Sequence, residues 1–237
     1  MPLLRHATDV DGLPIPPPRL MYDVAGTDDV EWFLRFGRAT ARTLHEVVAQ
    51  AHRPLETFER MLDFGCGCGR VLRHFAELDH VELHGTDVRR GAVAWCRRNL
   101  QFAKFDRNKL TPPTVYDDGT FDFVYAISVF THLPEALQVL WLDELRRILR
   151  PHGLLAITTH GDQYLDQLSA DEARDFTAGR LVVRRADAAG LNACAAFHPR
   201  SWVERTVKGR LEVIDFAASG TFTDLAQDLY LLRATGR

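Results

Sequence analysis

Residues able to do chemistry concentrate in one stretch, Met61-Leu62-Asp63-Phe64-Gly65-Cys66-Gly67-Cys68-Gly69-Arg70. Three glycines at alternate positions after a short apolar run describe a strand-to-helix turn. Such a turn lets a ligand approach backbone N–H groups closely. The spacing is G-x-G-x-G, not the G-x-G-x-x-G of dinucleotide sites. Asp63 stands two residues before the first glycine, where its carboxylate repels a diphosphate and favours a cationic amino-acid group. Asp87 closes the next apolar run, 20 residues after Gly67, the position from which an acid accepts hydrogen bonds from ribose hydroxyls. A ribose-bearing cofactor with no phosphate and a positive amino-acid tail is S-adenosylmethionine (SAM), whose demethylated product is S-adenosylhomocysteine. Asp63 argues against a nicotinamide cofactor.

Histidine is the second chemical resource. An activated methyl donor needs a positioned nucleophile, and an aliphatic hydroxyl also needs its proton removed. His132, in Ser128-Val129-Phe130-Thr131-His132-Leu133-Pro134, and His160, in Thr158-Thr159-His160-Gly161, each follow an apolar run that reads as a strand. Two histidines at adjacent strand ends make an acid/base constellation, and His198, in Ala195-Ala196-Phe197-His198-Pro199, is a third candidate. The plainer reading of each is a cap or packing residue. No metal set is visible: Cys66 and Cys68 are spaced C-x-C inside the glycine loop, which is not a zinc spacing.

The elements that must position these residues alternate. Arg60–Phe64 and Val81–Thr86 read as strands. Val71, Leu72, Phe75 and Leu78 recur at helical spacing, and Ala92–Leu100 reads as a helix. Phe121–Val129 is a nearly continuous apolar run, as in a central strand covered on both faces. Pro134 opens a helix that Pro151-His152-Gly153 ends, and Leu154–Thr159 is the next strand. This is the pattern of βαβ units in an open, mostly parallel α/β sheet with helices on both faces. Leu211–Ala217 and Asp228–Leu232 are two further strands with no helix between them, hence an antiparallel edge pair. Before this core, residues 1–57 form an N-terminal portion. It is an extended proline-rich arm to about Leu20, a helix from Asp28 or Asp29 through Phe36, and a second helical stretch from Ala39 to about Ala51. Tyr22, Trp32 and Phe36 there either cover the cofactor as a lid or pack the helix on the sheet. Residues 58–237 form the cofactor-binding domain, in which about 170–199 break the alternation as a cap.

The glycine loop closely resembles motif I of the class I SAM-dependent methyltransferases. Phe121-Asp122-Phe123-Val124-Tyr125 resembles their FDxVx strand, and Leu149-Arg150-Pro151-His152-Gly153-Leu154-Leu155 their LxPGG segment, with His152 where the first glycine is usual. The resemblance spans Leu62 to Thr159. It implies a Rossmann-like fold whose seven-stranded sheet has the order 3-2-1-4-5-7-6, with strand 7 antiparallel. Carried over by position, Asp63, Gly65, Gly67 and Gly69 hold the methionyl end of the cofactor and Asp87 the ribose. Val88 lies against adenine, Asn108 or Asp106 meets its amino group, and Ser128 sits near the methyl donor. The [DN]PP[YF] motif of amino-directed nucleic-acid enzymes is replaced by Ala126-Ile127-Ser128, and Ser128 stands where catechol-type enzymes carry a metal-binding Asp. Trp95-Cys96, Ser128–Leu133 and Gln227–Leu231 look similar to methyltransferases of bacterial polysaccharide and natural-product pathways. That similarity implies O-methylation of a small molecule or glycan, a sugar hydroxyl above all. Phenolic, carboxylate or amine acceptors, and a SAM-binding partner without catalysis, stay open.

Composition bounds the rest. The 237 residues, 46% apolar and 26% charged, are enough to bury a core without staples, and four cysteines are too few for a disulfide framework. A net charge of −3 gives no basic surplus for nucleic acid. Only Lys104, Lys109 and Lys208 are lysines among 29 basic residues, an arginine bias that accompanies GC-rich bacterial coding. No apolar run approaches the roughly 20 residues of a membrane span, and the first residues lack a signal-peptide core. The expectation is a cytoplasmic monomer or homodimer with reduced thiols.

Overall fold

The structure, a computed structural model, describes residues 12–219 and 227–235. Residues 1–11 of the expected N-terminal arm lie outside the described residues. The rest of that portion is helical sooner than its prolines imply. Pro17 and Pro18 do not extend the arm but start α1 (Pro18–Ala25), because proline is pre-set for the first helical turn, where its missing N–H costs nothing.

A single helix, α2 (Val30–Gln50), replaces the two helical stretches expected around Gly37. Asp29 caps it by accepting from the Trp32 N–H at 3.0 Å, a contribution of about 1 kcal/mol. Phe33, Gly37, Ala41, Leu44 and Val48 form its buried stripe. Gly37 does not break the helix; it lets another chain segment in. A Cβ there would overlap the Arg70 carbonyl oxygen, so α2 lies directly on the residue that follows the glycine loop.

The core alternates as the sequence implies: β1 (Arg60–Phe64), β2 (Glu82–Asp87), α3 (Arg90–Asn99), β3 (Lys104–Arg107), β4 (Phe121–Ala126), α4 (Glu135–Ile148) and β5 (Leu149–Thr159). The helix expected through Val71 and Leu78 is reduced to a 3-10 turn, Leu72–Phe75. Turns through Leu78 and Asp79 use the chain that a longer helix needs before β2 begins. After β5 come α5 (Ala170–Thr177), the hairpin strands β6 (Val182–Arg184) and β7 (Ala195–Phe197), and α6 (Arg200–Val207). The antiparallel pair β8 (Leu211–Ala217) and β9 (Asp228–Ala234) completes the sheet.

The seven strands run in the order β3-β2-β1-β4-β5-β9-β8, the expected topology. β1 to β5 are mutually parallel, and β9 pairs antiparallel with both neighbours. Every residue of β4 is buried. Phe123 and Tyr125 enter the core shared with α2, while Val124 and Ala126 enter the one under α4. Each large apolar side chain buried this way contributes roughly 1.5–3 kcal/mol. Asp122 ties off the N-terminal end of the sheet: its carboxylate accepts the Glu59 and Arg60 N–H groups at 2.9 and 3.0 Å and pairs with Arg150. The acid of the FDxVx-like strand thus aligns β1, β4 and β5 from the end opposite the glycine loop. No helix among the described residues is long and apolar enough to cross a membrane.

Candidate active site

The C-terminal ends of β1, β2 and β4 enclose a cleft of about 930 Å³, open mouth included, a size and location usual for ligands of open α/β sheets. Its floor is the glycine loop. Gly65, Gly67 and Gly69 take φ of 81°, 53° and 78°, the left-handed region that favours glycine. The Gly65 and Cys66 N–H groups both donate to the Thr86 carbonyl, at 2.7 and 3.0 Å, which pins the loop to the end of β2.

Asp87 is the hinge of this arrangement. Its Oδ2 accepts the Gly67 N–H at 2.9 Å and its Oδ1 accepts the Arg89 N–H at 2.7 Å. Each oxygen has one backbone donor and retains acceptor capacity for a further hydroxyl. Burial raises the Asp87 pKa, against the pull of those two N–H groups. Asp63, only 3% exposed, lies deeper. Burial pushes its pKa up to about 8, opposed by the Tyr125 hydroxyl and the Arg70 guanidinium. Two acids at the loop fit a ribose and an ammonium, and oppose a diphosphate.

Of the residues singled out from sequence, Asp63, Gly65, Asp87, Val88, Asn108, Ser128 and His132 line the cleft together. Gly67 and Gly69 shape the loop without facing the cavity: Val24 of α1 covers Gly67, and Leu100 packs on Gly69. Asn108 rather than Asp106 faces the cleft; Thr86 donates to its Oδ1 at 3.0 Å, while Asp106 pairs outside with Arg97. Ser128 holds a left-handed φ of 57° after β4, with its N–H on Thr158 Oγ1 and its hydroxyl on Gln227. Tyr22 is exposed, and Trp32 stacks on Phe36 outside the cleft; the α1 side chain that reaches the cavity is Val24.

The three histidines part company. His132 Nδ1 lies 2.7 Å from the Cys194 carbonyl oxygen. A carbonyl only accepts, so Nδ1 carries the proton and Nε2 presents its lone pair, with no protein partner among the described residues. Burial lowers its pKa below 6.5, and the ring is neutral at pH 7. His160 is held the same way, with Nδ1 3.1 Å from the Ala196 carbonyl. Burial, reinforced by His132, brings its pKa down to about 4. It does not line the cleft but stands beside His132, in a wall with Tyr164 and Phe197. Alternate carbonyls of the β7 segment thus orient both rings. His198 is 1% exposed and bonds Gln138 Oε1 through Nε2 at 3.0 Å, with Trp202 against its ring. It packs α6 against α4 and lines a separate small cavity, not the cleft.

Sequence reasoning passed over Val24, Arg70 and Asn192, which also line the cavity. Arg70 carried a readable signal, since it directly follows the last glycine; Val24 and Asn192 reach the cleft only through tertiary folding. No cluster of His, Cys, Asp or Glu among the described residues is arranged to hold a metal ion.

Comparison with known proteins agrees with this geometry. Residues 62–155 match the family model described as a methyltransferase domain. Among curated relatives, phosphoethanolamine N-methyltransferase 2 of Caenorhabditis elegans is 29% identical over 126 residues, covering 52% of this chain and 28% of the relative. Sterol 24-C-methyltransferase erg6 of Schizosaccharomyces pombe is 31% identical, covering 57% and 39%. The 27-O-demethylrifamycin SV methyltransferase of Amycolatopsis mediterranei is 30% identical, covering 55% and 49%. The chain therefore spans less than half the length of these relatives. Among solved structures, the PH0226 protein of Pyrococcus horikoshii superposes with a TM-score of 0.64 at 18% identity, over 92% of this chain and 97% of that one. The glycopeptide N-methyltransferase MtfA in complex with SAM gives 0.59 at 16% identity, over 85% and 94%. The chain has the Rossmann-like fold of the class I SAM-dependent methyltransferases, with the methyltransferase-domain match lying on the strands and loops that build the cleft.

Proposed function

We propose that this chain binds SAM in the cleft and transfers its methyl group to a hydroxyl of a small molecule, with a sugar or oligosaccharide as the first acceptor class. The observation that carries the reading is the pairing of two features in one cavity. One is the glycine loop locked to Asp87, and the other is a neutral histidine with an open Nε2. SAM, when bound, supplies an electrophilic methyl group for in-line displacement by a nucleophile. The chain's own residues do the rest. Asp87 accepts the ribose hydroxyls, Val88 and Asn108 border the adenine, and Asp63 faces the ammonium end. His132 Nε2 takes the acceptor hydroxyl's proton as the oxygen attacks. His160 stands beside His132 in a wall with Tyr164 and Phe197, placed to meet a part of the acceptor that extends past His132. His198 has no part in this scheme.

The acceptor class is supported by the chemistry of the base. A sugar hydroxyl does not ionise near neutral pH, and a neutral imidazole with an open nitrogen is the kind of base its deprotonation needs. Curated relatives act, by their names, at oxygen, nitrogen and carbon, so the acceptor has to be found by trial. The test is methyl transfer from labelled SAM to panels of sugars, phenols, carboxylates and amines. Sugar turnover that depends on His132 is the expected outcome. Turnover confined to amines or phenols overturns the hydroxyl-base reading, and tight binding with no turnover on any acceptor identifies a SAM-binding partner instead.

A further inference from the structure

Arg89 stands at the cleft without a structural role. It occupies the N-cap position of α3, yet its side chain makes no capping bond, because a guanidinium only donates and cannot accept from helix N–H groups. That guanidinium lines the cleft and makes no hydrogen bond or ion pair among the described residues. The two oxygens of Asp87 are engaged by the backbone N–H groups of Gly67 and Arg89, not by the Arg89 side chain.

The loop before β7 brings a second donor to the same rim. Gly190 donates its N–H to the His132 carbonyl at 2.8 Å, and His132 Nδ1 bonds the Cys194 carbonyl at 2.7 Å. A Cβ on Gly190 would crowd the Leu110 side chain and touch Val88, the residue before Arg89. Between these two ties Asn192 lines the cleft, its amide equally without a partner among the described residues. The positive charge of Arg89 is felt at the His132 ring, where it adds to burial in keeping that ring neutral, against the Cys194 carbonyl.

We propose that Arg89, together with Asn192, determines acceptor specificity, and that the acceptor is an anionic sugar whose methylated hydroxyl lies near a carboxylate or a phosphate ester. The inference rests on the reading of the cleft as a SAM-dependent sugar methyltransferase site and narrows its acceptor class. The reacting centre of bound SAM is a sulfonium cation, so a guanidinium facing His132 finds no partner there. An acceptor anion supplies one. The planar guanidinium meets two oxygens with two N–H donors, the Asn192 amide offers a further donor, and the neighbouring hydroxyl is delivered to His132 Nε2.

The test is methyl transfer from labelled SAM to matched sugars: glucose, galactose and mannose, each as the neutral methyl glycoside, the uronate and the phosphate monoester. S-adenosylhomocysteine affinity is measured on the same samples. In the wild-type chain kcat/KM should be about tenfold or more higher for the uronate or the phosphate than for the neutral partner, the range of one charge-assisted contact. Whichever of the two is preferred identifies the anion. Arg89→Met should bring that ratio close to one, while S-adenosylhomocysteine affinity stays within about threefold. Asn192→Ala should lower the ratio by about threefold or more. Should Arg89→Met fail to fold, Arg89→Lys carries the same comparison, with the ratio reduced by about threefold or more as the paired donors are lost. A neutral partner turned over as well as the anionic ones, or a ratio unchanged in the Arg89 variants, overturns the assignment and leaves the SAM reading intact. A tenfold loss of S-adenosylhomocysteine affinity in Arg89→Met also overturns it, by giving Arg89 to the cofactor. Turnover of no sugar by a chain that binds S-adenosylhomocysteine overturns this inference together with the sugar reading beneath it.

Discussion

Substituting His132 by Ala removes the proposed base and leaves the cofactor cradle whole, since no residue of the glycine loop and neither oxygen of Asp87 bonds to it. General-base catalysis contributes about 10²–10⁴-fold, equivalent to roughly 3–5.5 kcal/mol of barrier. The variant also loses the hydrogen bond to the Cys194 carbonyl, which holds the cap, at a stability cost of about 1 kcal/mol. The two losses separate in the assay. With labelled SAM and the acceptor both saturating, kcat should fall about 100-fold or more, while S-adenosylhomocysteine affinity stays within about threefold. The pH profile gives an independent sign. The reactive form is neutral, and burial sets the His132 pKa below 6.5. Wild-type kcat should therefore be flat from pH 7 to 8 and decline only on the acid side of 6.5, as the ring gains its proton. A variant that keeps kcat within about threefold of wild type while correctly folded refutes the assignment, and so does a profile that rises with acidity.

Two further predictions come from the acids. Asp63, with its pKa near 8 in the free protein, is mostly protonated at pH 7, and an ammonium brought beside it favours the carboxylate. Binding of S-adenosylhomocysteine at pH 7 should release nearly one proton, read by calorimetry in buffers of different ionisation enthalpy; zero release removes Asp63 from the ammonium. Asp122→Ala leaves the Glu59 and Arg60 N–H groups without their acceptor and Arg150 with Glu59 as its remaining carboxylate partner. The fold should lose about 2–5 kcal/mol in chemical denaturation, with ligand affinity little changed at temperatures where the variant is folded; a loss below about 0.5 kcal/mol refutes the anchoring role.

Much of the cofactor end was legible from sequence because its signals are local. The alternate glycines, Asp63 before them and Asp87 after the next strand all lie within β1, β2 and the loop between them. The sheet order is what the resemblance to class I methyltransferases implies, and the short interval in the sequence between the two C-terminal apolar runs agrees with it; β8 and β9 pair antiparallel at the edge. The acceptor end was not legible. His132 and His160 are oriented by carbonyls of Cys194 and Ala196, contacts that span 62 and 36 residues, and no local pattern encodes them. His198 looked equivalent on the chain, but its ring turns inward to Gln138, 60 residues away. Gly37 misled for the opposite reason. Glycine in a helix interior costs about 1 kcal/mol and reads as a break, whereas here it is the contact point between α2 and Arg70.

The proposed function requires that the cleft take an adenosyl amino acid through the Asp87-locked glycine loop. Calorimetric titration of S-adenosylhomocysteine and NAD into the wild-type chain and Asp87→Ala tests it most directly. Asp87 offers acceptor capacity on both oxygens, and each charge-assisted hydrogen bond to a ribose hydroxyl contributes roughly 1.5–3 kcal/mol. Saturable binding of S-adenosylhomocysteine, none of NAD, and at least about a tenfold loss of affinity in the variant are the expected results. Binding of NAD in preference, or S-adenosylhomocysteine affinity unchanged in Asp87→Ala, would contradict that requirement.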